Sequence, residues 1–112
     1  MKYVSTRGSI AEQSFEDVLL SGLARDGGLF VPEAWPNVTP DDIRALAPLR
    51  YTEIVTRIVR PFIEVELVSD SDLTRIVEQA YSGFRHSEIA PLQQLDEDTW
   101  VLELFHGPTL AF

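Results

Sequence analysis

Between Tyr51 and Phe84 apolar side chains recur at intervals of three and four residues, and no other feature of the chain restricts its fold as much. Tyr51, Ile54, Val55, Ile58, Val59, Phe62 and Ile63 share one face, and Leu73, Ile76, Val77, Ala80, Tyr81 and Phe84 share another. A strand would need alternation, so the spacing predicts two amphipathic helices whose stripes face a core. Several of these residues are β-branched and lower helix propensity, but the period outweighs that. Pro61 falls inside the first helix, where it removes one backbone bond and is expected to kink it. Ser69 or Ser71 is the expected cap of the second helix and Gly83 its stop.

Shorter signals surround this pair. Lys2 to Thr6 reads as a strand ended by Arg7-Gly8. Ser14, with Asp17 three residues on, reads as a capping box opening a helix with Phe15, Val18, Leu19, Gly22 and Leu23 on one face. Asp26-Gly27-Gly28 breaks that pattern as a helix stop and turn. Leu29-Phe30-Val31 reads as a buried strand closed by Pro32. Thr39-Pro40-Asp41-Asp42 is a second helix start, with proline where no amide is needed, and Pro48 ends that helix. The acidic pairs Asp41-Asp42 and Asp70-Asp72 suit helix starts better than catalysis. After His86, residues 91–95 and 99–105 read as the two strands of a hairpin around the polar turn Asp96-Glu97-Asp98.

Composition excludes several functions. The 112 residues suit one compact domain, and 45% hydrophobic content argues against disorder. Eighteen acidic residues against nine basic ones give a net charge of −9, with no basic run. Nucleic acid and anionic membrane surfaces are therefore poor partners, because both are bound through lysine and arginine. The chain lacks cysteine, which removes disulfide and thiolate chemistry and fits a cytoplasmic protein. Met1-Lys2 opens no signal peptide, and no apolar run approaches the ~20 residues of a membrane helix.

Two strings carry a resemblance. Glu103 to Phe112 reads ELFHGPTLAF, and Ser14 to Pro32 reads SFEDVLLSGLARDGGLFVP. Together with the opening KYVSTRG, they resemble the amino-terminal part of the threonine synthase family, whose cofactor lysine follows directly after this phenylalanine. The resemblance covers nearly the whole chain, with Trp35 to Glu88 matching only in helix pattern. It implies a small α+β amino-terminal domain over residues 1–88. Residues 89–112 would then be the opening hairpin and loop of an α/β pyridoxal-phosphate domain of the tryptophan-synthase β-like fold (fold-type II). It also implies a lyase that turns O-phospho-L-homoserine and water into L-threonine and phosphate, with pyridoxal 5'-phosphate as cofactor and electron sink. The partners implied are a phosphorylated amino acid and the remainder of the same polypeptide, with a monomer favoured.

The residues around the loop can be weighed singly. Gly107 lets backbone approach a ligand, and Pro108 stiffens the bend. Thr109 is placed to cap a helix whose free amides meet an anion. By resemblance Phe112 packs on the cofactor ring, worth about 1 kcal/mol beyond its area. His106 by itself reads as a hydrogen-bonded loop residue, and with only His86 as a second histidine a metal site is not expected. Arg7 suits a phosphate across a cleft or, equally, an ordinary surface position. Asp26 reads first as a turn residue and second as part of a substrate loop. No catalytic residue is expected within the chain, because its one lysine, Lys2, lies far from the motif. The apolar ending Leu110-Ala111-Phe112 is expected to be a truncation or an interruption at a modified lysine, leaving the piece inert by itself. A threonine-synthase-like phospho-lyase and a stand-alone interaction domain are the alternatives.

Overall fold

The computed structural model describes residues 1–109. The expectations for Leu110, Ala111 and Phe112 lie outside the described residues. In chain order the elements are β1 (Tyr3–Ser5), α1 (Phe15–Ser21), β2 (Phe30–Pro32), α2 (Pro40–Leu46), α3 (Tyr51–Val59), a 3-10 turn (Arg60–Phe62), α4 (Asp70–Tyr81), β3 (Leu92–Gln94) and β4 (Trp100–Leu102).

β1 and β2 pair antiparallel, with Val4 opposite Val31. Tyr3 also exchanges backbone bonds with Gln13 at 3.0 and 2.9 Å, so β1 runs between two neighbours. Pro32 is the last residue of β2 and closes it, a place where proline is tolerated because β2 is an edge and needs no donor there. Tyr3 is buried, and its hydroxyl donates to the Phe62 carbonyl at 2.7 Å, tying the small sheet to the 3-10 turn. Burial and the nearby Glu64 carboxylate hold the Tyr3 phenol above its ordinary range.

The caps form where the local sequence places them. Ser14 and Thr39 accept from the amides of Asp17 and Asp42, and both boxes are reciprocal. Ser69, not Ser71, caps α4 through the Asp72 amide at 3.1 Å. α1 stops at Gly22, whose φ of 71° suits glycine, so Asp26-Gly27-Gly28 is a separate turn beyond the helix. α4 ends at Tyr81 with Ser82 as its cap, ahead of Gly83.

The long helix expected through Ile63 ends at Val59. Pro61 has no N–H to donate, and its ring would press on the Arg57 carbonyl. The chain tightens into the 3-10 turn, closed by the Ile63 amide on the Arg60 carbonyl at 3.2 Å. α3 and α4 pack together, with Tyr51 and Tyr81 edge to face at 5.2 Å. Their stripes are not wholly core. Leu73 and Val77 are buried, worth about 1.5–3 kcal/mol each. Ile58 and Ile76 remain 51% and 47% exposed, because each helix has a packing partner on only part of its stripe. Leu19 and Leu23 of the expected α1 face are exposed as well.

The hairpin is present with shorter strands than expected. β3 and β4 pair antiparallel, with Gln93 opposite Val101. The Leu95 amide donates to the Thr99 carbonyl at 2.9 Å, and Asp96 turns the chain by accepting from the Asp98 amide at 3.1 Å. All six strand residues are exposed, while Pro91 just before them is fully buried.

Candidate functional site

The candidate residues fall into two sets with separate partners. The first gathers at the end of β1. Ser5 is 5% exposed, and its hydroxyl donates to Asp26 Oδ1 at 2.8 Å. The same oxygen accepts from the Gly28 amide at 3.0 Å, and Oδ2 accepts from the Ser9 amide at 3.2 Å. These bonds hold the Asp26 carboxyl below the usual aspartate range, the Ser5 hydroxyl chief among them, with the two amides and the Arg7 guanidinium adding. Thr6 completes the latch by accepting from the Leu29 amide at 3.0 Å.

Arg7 lies across this turn. Its Nη1 donates to the Asp26 carbonyl at 3.0 Å, while the side chain stays exposed. Gly27 sits beneath it at φ 79°, where an added Cβ would come within 3.0 Å of Arg7 Nη1. Glycine suits this position chiefly for the left-handed turn, and a side chain there would also make the exposed guanidinium shift. Sequence reasoning singled out Arg7 and Asp26 but missed Ser5 and Thr6, at the end of β1 and just beyond it, whose local sequence gave no sign of partners 21 and 23 residues on.

The second set surrounds the loop after β4. Gly107 is buried, while Pro108 and Thr109 are exposed in a turn. His106 Nε2 lies 2.7 Å from Glu103 Oε2, with both side chains mostly shielded. The His106 ring faces His86 at 4.9 Å and Phe105 at 4.7 Å between centroids. Arg85 reaches the loop twice, from its backbone amide to the His106 carbonyl at 2.9 Å and from Nη2 to the Gly107 carbonyl at 3.3 Å. Glu103 could have been found from its three-residue spacing to His106. Arg85 could not, because 21 residues separate it from His106. The cap role expected of Thr109 depends on residues outside the described ones.

Among the described residues no three His, Cys, Asp or Glu side chains gather as a metal site. No described helix is long and apolar enough to cross a membrane. Lys2, exposed just before β1, pairs with Glu12. The described residues therefore contain a shaped loop but no amine beside it.

Residues 2–81 match the protein family described as "Threonine synthase N terminus". Over its full length the chain is 51% identical to a threonine synthase of Pseudomonas aeruginosa, of which it spans 24%. It is 40% identical to threonine synthase-like 2 of Xenopus laevis, spanning 24% of that protein. Among solved structures, the PLP-bound threonine synthase of Brucella melitensis superposes with a TM-score of 0.92 at 49% identity, over 98% of this chain and 24% of that one. The chain thus spans about a quarter of the length of the relatives it matches. On these likenesses the chain belongs to the threonine synthase family, of which it matches the amino-terminal part.

Proposed function

We propose that this chain works as the amino-terminal quarter of an enzyme that converts O-phospho-L-homoserine and water to L-threonine and phosphate with pyridoxal 5'-phosphate. The observation that carries the reading is the His106-Gly107-Pro108-Thr109 loop, held at the end of a hairpin in a chain so similar to a PLP-bound threonine synthase. When bound, the cofactor supplies an electron sink for carbanion chemistry. The anchor for it is not among these residues, since Lys2 is exposed, paired with Glu12 and placed just before β1. The amine belongs directly after Phe112.

Within this reading residues 1–88 form the amino-terminal domain and 89–112 open the cofactor domain of fold-type II. Gly107 and Pro108 shape the bend and His106 braces it, while Thr109 and Phe112 are the residues that, by the family likeness, would help hold the cofactor. Arg7, fixed over Gly27, offers its guanidinium to the substrate phosphate. Asp26 serves Arg7 rather than substrate, because both of its carboxylate oxygens already accept bonds from within the corner. The partners are the phosphorylated amino acid and the rest of the polypeptide, and the working form is a cytoplasmic monomer.

The test uses the full-length protein supplied with pyridoxal phosphate. It should show the visible cofactor band and release phosphate and threonine in equal amounts from O-phospho-L-homoserine. Absence of both the band and phosphate release would refute the assignment. A second reading is favoured by the 40% identity to threonine synthase-like 2 of Xenopus laevis: a phospho-lyase of different product. Phosphate release without threonine would select it. The 112-residue piece by itself is expected to give neither product.

A further inference from the structure

Resting on the reading that the loop after His106 presents a cofactor amine, we propose that Arg85, His86 and Glu103 are positioning residues that clamp the His106–Pro108 backbone. The bend needs such help. Pro108 has no amide hydrogen to donate, and Gly107 has no Cβ to restrict its dihedrals. The bend therefore lacks one donor and one restraint of its own, and two of its consecutive carbonyls accept from outside it.

Arg85 meets both carbonyls. Its backbone amide donates to His106 and its guanidinium to Gly107, at 2.9 and 3.3 Å. Glu103 holds the bend from the opposite flank through His106 Nε2 at 2.7 Å. Glu103 is itself rooted, because its amide donates to the carbonyl of the fully buried Pro91 at 3.0 Å. His86 completes the enclosure. Its ring faces His106 at 4.9 Å and is oriented by the Glu88 amide, which donates to Nδ1 at 3.2 Å.

The segment that delivers these residues is strained. Ile89 is buried at φ 66°, a left-handed conformation that a β-branched residue adopts at a cost of about 1–3 kcal/mol. Its amide donates to the His86 carbonyl at 3.0 Å, so the strained residue closes the turn that carries His86 beside the loop. A fold keeps such strain where the surroundings demand one geometry, and here that geometry places Arg85 and His86 on the bend.

The experiment takes the full-length protein and four variants, Arg85→Ala, Arg85→Lys, Glu103→Ala and Glu103→Gln. Hydrogen exchange over residues 103–109 is measured without cofactor. Then kcat, KM and the pH midpoint of the visible band are measured with pyridoxal phosphate and O-phospho-L-homoserine. The alanine variants should speed exchange over 103–109 by about tenfold while leaving α3 and α4 unchanged. They should lower kcat by about tenfold or more, with KM moving less than about threefold, and shift the pH midpoint. The Lys and Gln variants should recover most of each change. Unchanged exchange over 103–109 overturns the clamp. So does a loss of kcat accompanied by faster exchange throughout and no recovery in the conservative variants. An unmodified protein that shows no band overturns the enzyme reading instead, and the exchange comparison then decides the clamp by itself.

Discussion

Gly28→Ala tests the corner that holds Arg7. A Cβ at this position would lie 2.3 Å from Ser5 Oγ, 3.0 Å from Thr6 Oγ1 and 3.1 Å from Asp26 Oδ1. Gly28, unlike Gly27, does not adopt positive φ, so the backbone accepts alanine and the effect is one of space. Ser5 is 5% exposed and cannot turn its hydroxyl to water. Its bond to the Asp26 carboxylate must lengthen or break, a loss of about 1.5–3 kcal/mol for a hydrogen bond to a charged group. Reduced freedom of the unfolded chain offsets about 0.4–1 kcal/mol of this. The net expectation is a destabilisation of about 0.5–2.6 kcal/mol, or roughly 1 M in the urea midpoint. Urea unfolding followed by circular dichroism reads it. Gly83→Ala is the control: nothing lies within 4 Å of its Cβ, so it should be neutral or slightly stabilising. Adding Ser5→Ala removes the obstructing oxygen, so the double variant should be more stable than the sum of the single losses by at least about 1 kcal/mol. A Gly28→Ala protein as stable as the parent, or strictly additive losses, would sink the latch.

Asp26 should give the corner an acid-sensitive stability. Its carboxyl is held below the ordinary aspartate range, so its contribution is complete above the unfolded value of about 3.9 and disappears as pH falls through the lower folded value. Asp26→Asn should flatten the acid limb of the stability–pH curve, measured by urea titration at pH 2–6, and an unaltered limb would count against it. Pro61→Ala should be near neutral or destabilise by about 0.4–1 kcal/mol, because proline sits in a 3-10 turn and its loss frees the unfolded chain. Were Pro61 interrupting a continuous helix, the same change would instead stabilise by up to ~3 kcal/mol. Ser14→Ala and Thr39→Ala should each cost about 1 kcal/mol in urea unfolding, since each removes a side-chain acceptor from a helix start.

Features governed by neighbours three or four residues away were legible in the sequence. The capping boxes at Ser14 and Thr39 are spelled by residues in mutual reach, and the stripes of α3 and α4 follow from the helical repeat itself. Burial was less legible, because Ile58 and Ile76 carry the period of a core and yet lie half in solvent. Periodicity tells which face would be buried, and only the neighbouring layer decides whether it is. The helix end at Val59 was misjudged because proline permits either a kink or a stop. Here the 3-10 turn wins, and the Phe62 carbonyl within it receives the Tyr3 hydroxyl from 59 residues away.

The sequence by itself determined the helical stretches, the caps at Ser14 and Thr39, the hairpin turn and the loop motif that points to the family. Each rests on dihedral preferences and hydrogen bonds within a few residues, which stay the same wherever the segment is placed. Tertiary structure alone decided that Ser5 would grip Asp26, that Arg7 would lie over Gly27, and that Arg85 would fasten His106 and Gly107. Those meetings join segments 19 to 22 residues apart. Chain composition leaves such closures open, and packing selects among them because buried donors and acceptors must find partners.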